Sequence, residues 1–268
     1  MTGTADGTAA AAAGRTEGGT LAGFGRAVRA EWTKARTVRA TVWTPAAMAL
    51  LVPALAVFVG ATGSLRPDDT VLGGSLTGAL LGQLAAAVFG TLAISGEYGT
   101  GMIRATFAAF PGRGAVLAAK AVVVAAVAFV LALASCTAAF GVGTVMLSGE
   151  GYATGRPMPA LIGVALCHAA TALLGLALGA LLRHAAGAVT AGVCLVLVPS
   201  LVAPLFGDLE RWIAGASPAA ALQKLSQTSD ASAEAVGSLG GWPSLGLLLA
   251  AAGVLLAAAT VVVRHRDA

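Results

Sequence analysis

The chain has 268 residues, of which 57% are hydrophobic and only 10% charged. An ordinary soluble domain is roughly 45–50% apolar and about 25% charged, so a soluble globule is excluded: so few charges cannot cover its surface. The formal net charge is +4, but the basic residues lie beside apolar stretches, which points to membrane topology rather than to a nucleic-acid partner.

The chain opens on a stretch rich in Gly, Ala and Thr, with the low-complexity run Ala9–Ala13. No apolar core precedes a cleavage site, so no secretory signal is expected. Residues 1–19 read as a disordered leader.

Residues 20–40 differ. Leu21, Phe24, Val28, Trp32 and Ala35 recur at helical spacing, while Arg26, Arg29 and Arg36 fall on another face. That pattern predicts a basic amphipathic helix lying flat at the cytoplasmic interface. Glu31 falls near its apolar side, where a charge requires a partner. Arg39 breaks the pattern and is expected to snorkel at the head of the first span.

A membrane-crossing helix needs about 20 apolar residues. Six stretches of residues 41–268 qualify, at about 41–63, 72–94, 121–147, 159–182, 185–206 and 244–263. The expected fold class is therefore all-α: a polytopic bundle of six transmembrane helices with an N-terminal interfacial amphipathic helix. Between the last two spans, 212–225 is apolar enough to dip back into the membrane. Such a segment must bond internally or be shielded by protein.

If the N-terminus is inside, twelve Lys and Arg fall inside and four outside: Arg66, Arg156, Arg211 and Lys224. That bias predicts a multi-pass protein of the cell membrane with both termini cytoplasmic. Gly74, Gly78 and Gly82 recur every four residues, as do Gly175 and Gly179. Such rows let helices approach closely, either within the bundle or between subunits.

Catalytic patterns are missing. None of the three lysines, Lys34, Lys120 and Lys224, sits in a G-x-x-x-x-G-K-[ST] loop, so P-loop ATP hydrolysis is not expected of this chain. The histidines His168, His184 and His265 lack metal-ligand spacing. Cys136, Cys167 and Cys194 all sit in apolar stretches and read as small buried thiols. No cofactor, metal or catalytic residue is expected. No Asp or Glu lies well inside a predicted span, which counts against a proton-driven carrier. His168 and Gln83 read as polar links between helices.

The inner loop between the second and third spans remains, Ser95 to Phe107. It holds an acid, a tyrosine and a base, and can form a short helix from about Gly101 to Ala109. On spacing alone this is equally an interfacial helix without a partner. The chain is then equally a stand-alone membrane protein, such as a secondary transporter or a scaffold or sensor subunit.

Glu31-Trp32-Thr33-Lys34 followed by Arg36-Thr37-Val38-Arg39, the loop Glu97-Tyr98-Gly99-Thr100-Gly101-Met102-Ile103-Arg104-Ala105-Thr106 and the ending Arg264-His265-Arg266-Asp267-Ala268 together resemble the actinobacterial permeases of ABC-2 type transporters. The resemblance runs in order along nearly the whole chain, and the loop is its most specific part. The family often has a basic residue where Gly99 stands. The resemblance implies a six-span permease, an exporter, with no ATPase of its own. It implies a separate cytoplasmic ATP-binding subunit and a second permease, identical or related, as partners in the lipid bilayer. It assigns Glu97, Tyr98, Thr100, Arg104 and Thr106 to the region coupled to the ATPase, with Glu31, Trp32 and Lys34 on the neighbouring interfacial helix.

Overall fold

The structure is a computed structural model describing residues 23–65, 68–110, 112–147, 149–228, 231–232 and 236–265. The expected leader at 1–19 and the last three residues of the tail lie outside them. Among the described residues every regular element is helical, and six helices are long and apolar enough to cross a membrane.

The N-terminal helix α1 spans residues 23–37. Val38, in extended conformation, breaks the chain before α2, Arg39–Thr62. A short helix α3, Val71–Ser75, is capped by Thr70, whose Oγ1 accepts from the Gly73 N–H at 3.0 Å. Next come α4, Ala79–Thr100, and α5, Met102–Ala109. The long helices α6, Arg113–Met146, and α7, Pro157–Leu182, follow. After α8, Ala185–Val202, a 3-10 turn leads to α9, Glu210–Gly215, and α10, Pro218–Ser226. The chain closes with α11, Gly241–His265.

Two helices deviate from the apolar stretches in ways that matter for the site. The second stretch begins at 72 by composition, but the turn at residues 76–78 after α3 interrupts it, and α4 starts at Ala79. α4 then runs on through residues 95–100, with Ser95 and Glu97 buried on its inner face and Gly96, Gly99 and Thr100 exposed on the other. The third stretch, expected in the membrane from about 121 and at the interface from Ala115, is helical from Arg113. Thirty-four residues in α6 make a rod of about 51 Å at 1.5 Å per residue, longer than a hydrocarbon core of about 30 Å. Its first turns stand at the end of the bundle where α1, α5 and the end of α11 also lie. This is the basic end of the molecule.

α7 is the central column, buried on nearly every face, and packs most extensively on α4. Small residues allow it. A Cβ built on Gly175 would stand 2.2 Å from the Ala87 carbonyl oxygen, and one on Gly179 would stand 2.8 Å from that of Thr91. On α4, a Cβ at Gly82 would meet His168 Nε2 at 2.8 Å. Both glycine rows therefore serve close packing within one chain. Large side chains such as Phe89, Met48 and Leu176 fill the remaining space.

Polar side chains inside the bundle contribute hydrogen bonds to its packing. Gln83 Nε2 donates to Thr171 Oγ1 at 3.1 Å and to the Pro218 carbonyl at 3.0 Å, joining α4, α7 and α10. His168 Nδ1 pairs at 2.8 Å with the Val164 carbonyl of its own helix, and its Nε2 side faces Gly82 of α4. Cys136 and Cys167 are buried, but Cys194 lies on the exposed face of α8, correcting the expectation that all three thiols are interior. Within the segment expected to dip back, Trp212 is exposed, while α10 is buried between α7, α8 and α11.

Candidate functional site

Four ionisable side chains from three helices converge at the basic end. α1 carries Glu31 and, one turn on, Lys34. The last turn of α4 carries Glu97, and the second turn of α6 carries Lys120. Glu31 and Glu97 are each 4% exposed and Lys120 3%. Lys120 Nζ donates to Glu97 Oε1 at 2.8 Å and also to Glu31 Oε2. Lys34 Nζ lies 2.8 Å from Glu31 Oε1 and 3.0 Å from Glu97 Oε1. It also donates to Thr106 Oγ1 on α5 at 3.0 Å.

A lone buried charge would be prohibitive, and a pair is tolerated only with good geometry and further hydrogen bonds. Here two carboxylates face two ammonium groups, so the cluster is neutral. It connects α1, α4, α5 and α6 at one point. Each carboxylate bonds both lysines, with Glu97 Oε2 left without a partner, so the arrangement ties the four helices together. Burial alone would lower the Lys34 pKa, but the carboxylates of Glu31 and Glu97 outweigh it and hold it above its ordinary value of 10.5.

A raised amine pKa stabilises the fold fully below the unfolded value, and the contribution is lost as pH rises through the folded value. The melting-temperature difference between wild type and Lys34→Met is therefore flat through the neutral range and narrows only above pH 10.5. Differential scanning fluorimetry in detergent reads it. A difference that narrows at neutral pH contradicts the assignment.

α5 hangs from this cluster. Gly101 ends α4 and begins α5 with φ +71°, a left-handed conformation natural to glycine. Ile103 and Thr106 face inward, while Arg104, Ala105, Ala108 and Ala109 are exposed.

Of the residues singled out in the sequence, Glu31, Lys34, Glu97 and Thr106 meet. Tyr98 stands apart, half-buried, with the Arg183 guanidinium 5.3 Å above its ring. Thr100 is exposed, its hydroxyl donating to the Gly96 carbonyl at 2.9 Å. Arg104 points away from the cluster, and Trp32 lies on the outer side of α1 with Arg36 5.9 Å over its ring. Lys120 was missed. Its signal was available: a single lysine at the head of the apolar run after Ala119, where charge is costly unless matched.

No family model matches the chain, and no curated protein matches its sequence.

Proposed function

We propose that the chain is the membrane-spanning permease subunit of an ATP-driven transporter of ABC-2 type, an exporter, with both termini in the cytoplasm and a separate ATP-binding subunit as its motor. The observation that carries this reading is the suspension of α5. It is a short helix between two long spans, exposed on one face. On the other, Lys34 ties it to a buried charge cluster shared by α1, α4 and α6. A partner pressing on the exposed face would move α5 against Gly101. It could not do so without displacing the helices that share the cluster. Packed elements of this kind respond by rigid-body rocking rather than by yielding locally.

Coupling is thus assigned to Glu97, Tyr98, Thr100, Arg104 and Thr106, with Glu31, Trp32, Lys34 and, in addition, Lys120 in support. Two such chains, identical or related, would flank the transport path.

The test is partner capture. The tagged full chain, purified in mild detergent from its native cell, is expected to retain a P-loop ATPase at about one per permease. The surface pair Arg104→Glu and Ala108→Arg, both on the exposed face of α5, should lose it while the melting temperature stays unchanged. Reproducible absence of an ATPase from intact protein favours the stand-alone membrane protein. Equal capture by the surface pair removes α5 from the docking site.

A further inference from the structure

The break at Val38 separates α1 from α2 and leaves an open groove at the bend, about 510 Å³ in volume. Its walls come from α1, α2 and α6. At the head, at the basic end, stand Trp32 and Arg36. Below them the groove is apolar, running past Val42 and Pro45 on α2 and Val127 and Val130 on α6. Val130 is 60% exposed, so the wall faces outward, toward lipid, rather than into the bundle.

The head and the body of the groove ask for different chemistry. Arg36 is exposed and is positioned over the Trp32 ring at 5.9 Å. Among the described residues no acid pairs with it, and no acid lines the groove. Arg39 follows at the start of α2. A guanidinium offers a planar fork of donors that fits phosphate, and Trp is favoured at the headgroup level. The body offers only hydrocarbon contacts. A molecule satisfying both is an anionic amphiphile with a phosphate at one end and an acyl chain at the other.

We infer that this groove is a site for one anionic phospholipid of the leaflet at the basic end, its phosphate on Arg36 and one acyl chain between α2 and α6. The site adjoins the charge cluster, with Ala35 and Thr41 between them, and none of the four charged residues of the cluster lines the groove. Its occupant braces the α1–α2 bend without entering the cluster. The inference is independent of the transporter reading.

The experiment uses the full chain in mild detergent, delipidated and titrated with phosphatidylglycerol or phosphatidylcholine, with bound lipid counted by native mass spectrometry. Wild type is expected to keep one phosphatidylglycerol in preference to phosphatidylcholine. Arg36→Ala is expected to hold it roughly fivefold more weakly, the loss typical of one basic residue at a membrane surface. Val130→Trp, which fills the groove and leaves the charge, should lose the same lipid. Arg29→Ala, exposed on α1 but outside the groove, should keep it. Equal loss in Arg29→Ala and Arg36→Ala would reduce the effect to general surface charge and overturn the site. So would retention by Val130→Trp. A wild type that holds no preferred lipid, and whose self-association Val130→Trp abolishes, would overturn it in favour of a second copy of the chain.

Discussion

Lys120→Ala is expected to destabilise the fold by about 3–5 kcal/mol, the usual consequence of removing one partner from a buried ion pair. The reason is not the lost attraction alone. Lys120 is the most deeply buried member of the cluster and donates to both carboxylates. Without it, Glu31 and Glu97 remain buried with a single amine between them, and a net negative charge must be hydrated or protonated. Lys34→Ala should cost less, because the Lys34 side chain is 24% exposed and water can enter where it stood. The double variant Lys120→Met with Glu97→Gln restores neutrality. Replacing buried ions by well-packed residues is often close to neutral, so the double variant should recover most of the loss. Thermal unfolding in detergent measures all three. If Lys120→Ala and Lys34→Ala melt alike, or the double variant is worse than Lys120→Ala, the cluster is not a balanced buried network.

That cluster also separates what the sequence made legible from what it did not. The six spans were legible because lipid leaves long apolar helices as the simplest solution, and length with hydropathy reports them directly. Glu31 was legible as a problem, since a charge on the apolar side of α1 needed a partner. Its solution was not, because Lys120 is 89 residues away and nothing local links them. Hydropathy alone also ended the second span at 94, since Ser95 to Thr100 are polar. The helix continues there because Glu97 is satisfied by lysines from α1 and α6 rather than by solvent. Composition sees a residue's cost of burial; it does not see a partner brought in by the fold. Cys194 erred in the other direction. An apolar stretch was taken to mean the interior of the bundle, but in lipid the outer face of α8 is equally apolar.

Gly90→Ala is expected to break the central seam of the bundle, whereas Gly96→Ala, six residues further along the same helix, should be harmless or mildly stabilising. A Cβ on Gly90 would lie 1.8 Å from the carbonyl oxygen of Ala172. That oxygen belongs to the backbone of α7 and cannot rotate away, so α4 and α7 must part by more than an ångström. Overpacking ordinarily costs about 1–3 kcal/mol. Here the cost should reach or exceed the top of that range, because separation also strains the contacts on either side. Thr91 Oγ1 reaches the Gly175 carbonyl at 3.2 Å, and Gln83 holds Thr171 two turns away. The same displacement lengthens both bonds. Gly96 has nothing within 4 Å of its would-be Cβ and lies on an exposed helical face. There alanine gains up to about 1 kcal/mol of helix propensity over glycine. The two substitutions add the same methyl group, so intrinsic propensity cannot give them opposite signs; only the approach of α7 can. Gly90 stands two four-residue steps beyond Gly82, past the buried Ala86, and at both glycines a Cβ would meet α7, so the row on α4 faces the seam. Comparing melting temperatures of the two variants tests it. Similar values would mean that α4 and α7 have room to spare, and that the row reflects the glycine-rich composition of the chain rather than a packing requirement.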